Sequence, residues 1–240
     1  MRLTYSLFSL VALGTAAFVT PAMATSVSGT ATFSGNATVN SGGVFFNDSG
    51  ANVSNPFVVG SPNTGDFSGL TSGTIQNLVG PAMTGAVSIP DFVVFNVAKG
   101  TIHFDLTNIE PGVGTAAACS SSAVGSICTP ANSPFTLIQT APNAVAITLT
   151  LDGKAWIGSS VPSSLTTGAF TTQDVAIGKI PDILSTIVGG GNVNDTYSAS
   201  FVATAAAPPP PGVPEPASML LMGVGLLGAG LVARRKATKQ

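Results

Sequence analysis

In the run Thr101-Ile102-His103-Phe104-Asp105 a histidine and an aspartate stand two positions apart, and strand alternation puts both on the polar side. An imidazole beside a carboxylate can serve as a general base or an oriented metal ligand, given a nucleophile or further ligands within reach. His103 is the one histidine of the chain, so zinc has no second imidazole, and no Gly-x-Ser-x-Gly elbow supplies a nucleophile. The expectation is a solvated strand histidine with no catalytic or metal role. Asn47-Asp48-Ser49-Gly50 and Asn192-Val193-Asn194-Asp195 are oxygen-rich enough to attract calcium, but lack the alternating acids and distal Glu of an EF-hand. Asn and Asp also fill turns for backbone reasons, so both segments are expected to be loops, and no cofactor is expected.

Cys119 and Cys128 lie nine positions apart among Ser, Gly, Ala and Pro, with no histidine partner and no C-x-x-C spacing. In an exported chain an even pair of this kind is expected to form a disulfide. Closing a loop of about ten residues would stabilise the fold by roughly 2.7 kcal/mol on the chain-entropy model. Trp156 is the single tryptophan. Asp152-Gly153 between two β-prone runs suits a type I′ turn, making 146–157 a hairpin. That register opposes Leu149 to Trp156, placing the indole on the apolar side with Ile147 and Leu151 and in the core, not on a sugar-stacking surface.

The elements that must hold these groups are strands. Ala31, Phe33, Ala37 and Val39 share one face of a run whose other face is Thr30, Thr32, Ser34, Asn36 and Thr38. Ile102, Phe104 and Leu106 repeat the alternation, as do Tyr197, Ala199, Phe201 and Ala203. Strands separated by Gly, Pro and Asn predict an all-β fold, a single antiparallel β-sandwich or jelly-roll-like domain over residues 25–204. One segment departs from it: Ile183, Leu184, Ile187 and Val188 have helical spacing, with Pro181 near the first turn and Gly189 at the stop.

Composition narrows the class further. Of 240 residues 8 are basic and 10 acidic, far below the roughly one-quarter charged residues of a cytosolic domain. Mean hydropathy is +0.48, yet apolar runs approaching the ~20 residues of a membrane span occur only near the two ends, which excludes a polytopic membrane protein. The 28 glycines and 17 prolines follow no G-X-Y period, excluding collagen, and the scattered Phe, Val and Ile argue against simple disorder.

Both ends have the form of addresses. Arg2, an apolar run over 7–19 and the small residues Ala22 and Ala24 make residues 1–24 a secretory signal peptide, with Thr25 as the mature N-terminus. Between them and the tail, Lys99, Lys154 and Lys179 face nine acids, too few and too separated to bind nucleic acid. An Ala/Pro-rich linker, 205–212, leads to Pro214-Glu215-Pro216, then seventeen uncharged residues at 217–233, then a tail, 234–240, opened by Arg234, Arg235 and Lys236. A helix of seventeen residues is about 25 Å long and can span a thinned bilayer, with the basic residues as a cytoplasmic stop-transfer cluster.

The order Pro-Glu-Pro, apolar helix, basic cluster over 213–240 resembles the PEP-CTERM sorting signal of Gram-negative bacteria. The resemblance implies recognition by an exosortase, a membrane protease or transpeptidase. It further implies export past signal peptidase, brief anchoring in the inner membrane through 217–233, and delivery to the cell surface or exterior beside exopolysaccharide in a biofilm matrix. On this basis a non-enzymatic surface or matrix protein is expected. The alternatives are a polysaccharide-acting hydrolase, which the nine acids would permit, and a carbohydrate-binding adhesin.

Overall fold

The computed structural model describes residues 26–46, 54–80, 84–172, 178–205 and 223–226. It divides into two units, 1–204 and 205–240. The first is mostly antiparallel β, as the alternation predicts, with the sheet curled into a half-barrel.

Its first strand, β1 (Gly29–Asn40), turns Ala31, Phe33 and Ala37 inward, and β2 (Gly43–Phe46) follows. Four short strands come next: β3 (Ser54–Pro56), β4 (Val58–Val59), β5 (Ser72–Gln76) and β6 (Leu78–Val79). Long strands β7 (Gly85–Val97) and β8 (Gly100–Ile109) form a hairpin. After the short β9 (Ile127–Cys128) and β10 (Thr136–Ala141) come β11 (Ala144–Ile157) and β12 (Ser159–Thr172). Helix α1 (Ile180–Val188) precedes the last strand, β13 (Val193–Thr204).

The main path through the sheet runs β3-β5-β7-β8-β11-β12-β13-β1-β2-β6. Its two ends are joined by shared runs of chain. β5 pairs with β7, and immediately after Asn77 the same run pairs with β2 as β6; likewise β3 pairs with β5, and after Phe57 β4 pairs with β1. At this seam buried Asn77 accepts hydrogen bonds from the Phe46 N–H (2.7 Å) and from Asn55 Nδ2 (3.1 Å). The curl lets inward rings from distant strands meet. Phe33 packs on Phe57, Phe95, Phe170, Tyr197 and Phe201 at centroid distances of 4.1 to 6.2 Å. Each fully buried ring contributes about 1.5–3 kcal/mol of transfer free energy.

A second apolar cluster holds Cys128, Leu137, Val145, Ile147 and Val193 under Ile180 and Ile183 of α1. The helix occupies the predicted place, with Pro181 in its first turn and Gly189 as its C-cap. The predicted disulfide, Cys119–Cys128, is present, with Cα atoms 5.0 Å apart, and it lies in this cluster.

Two local expectations are corrected. Asp152-Gly153 is not a turn, because β11 continues through it, in unbroken register with β12 on one side and, across a register shift between Asp152 and Gly153, paired with β8 on the other. Gly153 is there for close approach: a Cβ would lie 2.2 Å from the Asp105 carbonyl oxygen and 2.5 Å from the Phe104 ring. In a straight strand Leu149, Leu151 and Ala155 point inward and Trp156 points outward, so the indole is not in the core. The second correction concerns Asn192 to Asp195, expected to be a loop: from Val193 onward it is the start of β13. Asn192 Oδ1 accepts from Asn40 Nδ2 (3.0 Å) and Asn194 Oδ1 from the Thr38 hydroxyl (2.7 Å), tying the start of β13 to β1. Asn47 to Gly50 lies outside the described residues.

Candidate functional site

The outward Trp156 is the centre of a cluster built on β7, β8 and β11. In register it opposes His103 on β8, while Lys154 opposes Asp105. The indole and imidazole stack nearly parallel, 8° apart with centroids at 4.0 Å. The indole N–H donates to Asp105 Oδ2 at 3.1 Å.

His103 and Asp105 do share a strand face, but the imidazole does not pair with Asp105. Its Nδ1 lies 2.6 Å from Asp91 Oδ1, and its side chain is only 25% exposed, so it is not a freely solvated histidine. Asp91 reaches it because β7 is irregular between Ile89 and Val93. There Asp91 adopts φ +52°, a left-handed conformation that costs a non-glycine residue about 1 kcal/mol. Gln76 Nε2 holds the kink by donating to the carbonyls of Pro90 and Asp91, both at 2.8 Å. The Asp91 N–H donates to Asp105 Oδ1 at 2.9 Å, so both Asp105 oxygens are engaged. Asp91 is the member that sequence reasoning missed. Pro90, which interrupts the ladder of a long strand, was its one visible sign.

A carboxyl pair follows, Glu110 just past the end of β8 and Asp152 on β11. Glu110 is pushed above its ordinary titration range, first by a hydrogen bond shared with Asp152, then by desolvation and by the charge of Asp152. A hydrogen bond from Asn108 Nδ2 works the other way. Asp152 also accepts from the Thr167 hydroxyl at 3.0 Å.

From this stripe a polar face extends across β12, β13 and β1. Cross-strand rows run Thr148, Thr171, Ser198, Ser34, then Thr150, Ala169, Ser200, Thr32, then Asp152, Thr167, Val202, Thr30. All are outside the core, while their sequence neighbours Phe33, Phe170, Phe201 and Leu151 point into it. Among the described residues no group of three or more His, Cys, Asp or Glu side chains is placed to hold a metal ion.

The signal-cleavage residues Ala22, Ala24 and Thr25, the Pro214-Glu215-Pro216 motif, and Arg234, Arg235 and Lys236 lie outside the described residues. Of the expected membrane helix over 217–233, residues 223–226 are described, and they are helical. No helix among the described residues is long and apolar enough to cross a membrane.

No curated protein and no solved structure matches the chain. Residues 212–236, which take in Pro214 to Pro216 and Arg234 to Lys236, match the family model of the PEP-CTERM protein-sorting motif. The chain thus carries a PEP-CTERM sorting motif, the mark of an exported protein handled by an exosortase.

Proposed function

We propose that the protein is a non-enzymatic component of the cell surface or extracellular matrix of a Gram-negative bacterium, and that it associates with exopolysaccharide. Signal peptidase would cut after Ala24, the apolar segment 217–233 would hold the chain in the inner membrane, and exosortase would act at the Pro214-Glu215-Pro216 motif. The observation that carries the binding role is the outward Ser/Thr face on β12, β13 and β1. Strand geometry spaces such hydroxyls about 4.8 Å across strands and about 7 Å along them. That is a grid of donors and acceptors suited to a flat, polyhydroxylated polymer. Each hydrogen bond exchanged with water gains little, about 1 kcal/mol, so affinity would come from many contacts repeated along one polymer chain.

The test is incubation of the full chain with the producer's own exopolysaccharide. Co-sedimentation without new reducing ends is expected. Reducing ends that accumulate steadily and vanish when Glu110 or Asp152 is replaced by its amide would overturn the proposal in favour of a hydrolase.

A further inference from the structure

Trp156 is held in place more firmly than an incidental surface residue. One face of the indole is stacked on His103 and its N–H is fixed by Asp105, while the residue stays partly exposed. The imidazole is in turn fixed by Asp91, whose strained φ of +52° is maintained by Gln76 and Asp105. Backbone strain concentrates where surrounding structure enforces a working geometry. A large aromatic surface that is already immobile loses little entropy when a ligand packs on it.

The surroundings restrict what that ligand can be. Beside the stacked pair stand the carboxylates of Asp91, half exposed at 50%, and Asp105, and farther along the strands Glu110 and Asp152. Lys154 is the one cation in this stripe of β8 and β11, and the exported segment as a whole has three lysines against nine acids. A uronic-acid ring stacked here would bring its carboxylate against two others. A protonated amine would meet charges of opposite sign.

We propose that the Trp156–His103 pair is a pyranose-stacking subsite that selects amine-bearing sugar polymers over neutral ones, and neutral ones over uronates. The inference rests on the polysaccharide-binding role proposed above and assigns its chemistry to this end of the face.

Because the chain has a single tryptophan, its emission reports on this subsite alone. The full chain in mild detergent is titrated with oligomers of glucosamine, with their N-acetylated counterparts and with oligomers of galacturonate, at low and at high salt. Glucosamine oligomers are expected to change the emission saturably and to bind at least about fivefold tighter than the acetylated ones at low salt, with galacturonate weakest. High salt should narrow the ratios. Asp91→Asn, which keeps an oxygen for His103 and suits the left-handed backbone, should reduce the preference for amines while retaining binding. Trp156→Ala should abolish oligomer binding measured by calorimetry; Trp156→Phe, which keeps a ring, should retain part of it and serves if the alanine variant does not fold. Equal affinity for amine and acetylated oligomers, tighter binding of galacturonate, no binding of any oligomer, or full binding by Trp156→Ala would each overturn the inference. If the unaltered chain co-sediments with the producer's exopolysaccharide but binds none of the oligomers, the subsite is wrong and the wider face stands. Failure of the unaltered chain to co-sediment removes the wider proposal itself.

Discussion

Glu110 and Asp66 respond to pH in opposite directions, and each direction has a local cause. Glu110 holds its proton more tightly in the folded chain because of Asp152. Its contribution to stability is therefore complete below the ordinary glutamate range and is lost as pH rises through the raised value, when two carboxylates face each other. Glu110→Gln copies the protonated form. It should melt like the unaltered protein in acid and slightly higher at neutral pH, a small gap because the pair faces solvent. A gap that widened toward acid would contradict the assignment. Asp66 behaves conversely. Burial pushes its carboxyl up, but the Ser28 N–H at 2.9 Å and Lys99 Nζ at 3.1 Å outweigh burial and hold it below the usual range. Its stabilisation is present above the ordinary aspartate value and disappears as pH falls through the lowered one.

At the scale of elements, β11 shows what local pattern conveys and what it omits. The parity of Ala31 and Phe33, of Ile102, Phe104 and Leu106, and of Tyr197 and Phe201 was legible because a strand with one buried face must alternate, and so was α1 from its apolar spacing. The disulfide followed from two cysteines in an exported chain. Asp152-Gly153 was misread because its turn propensity is a local quantity, whereas pairing with β12 and, across a register shift, with β8 is a tertiary one, and the tertiary term won. The error moved Trp156 to the wrong face, since a hairpin reverses the parity that a straight strand preserves. Asp91 was illegible for a related reason: it reaches His103 only through an irregularity in β7. The account of Gly153 can be checked. Gly153→Ala should destabilise the fold by about 1–3 kcal/mol, read as a lower denaturation midpoint at unchanged slope. Replacing Phe104 by Leu in that background should recover part of the loss. Purely additive effects would mean that the Asp105 carbonyl, and not the ring, is what excludes a side chain at 153.

For the whole molecule, the fold and the address are separable in principle. The 212–236 motif lies beyond the last strand, which ends at Thr204. Changing Pro214, Glu215 and Pro216 together to Ala should leave export and the β unit intact. The protein should stay in the membrane fraction with its C-terminal tail uncut, visible as retention of a C-terminal tag on blots of fractionated cells. Loss of the tag and normal release would show that the motif is not what the sorting machinery reads.

The pairing of β1 with β13, in register from Gly29 opposite Ala203 to Val39 opposite Val193, puts the first and last strands of the domain side by side. During translocation the N-terminal strand must therefore wait, its inner edge open, until nearly the whole domain has crossed the membrane. Contacts so distant in sequence close slowly and late. The final strand ends at Thr204 and the sorting motif begins at 212, so the half-barrel can close only when nearly all of the chain ahead of that motif has crossed. Chains delayed in that last closure would keep an open β1 edge, free to pair with a strand of another molecule.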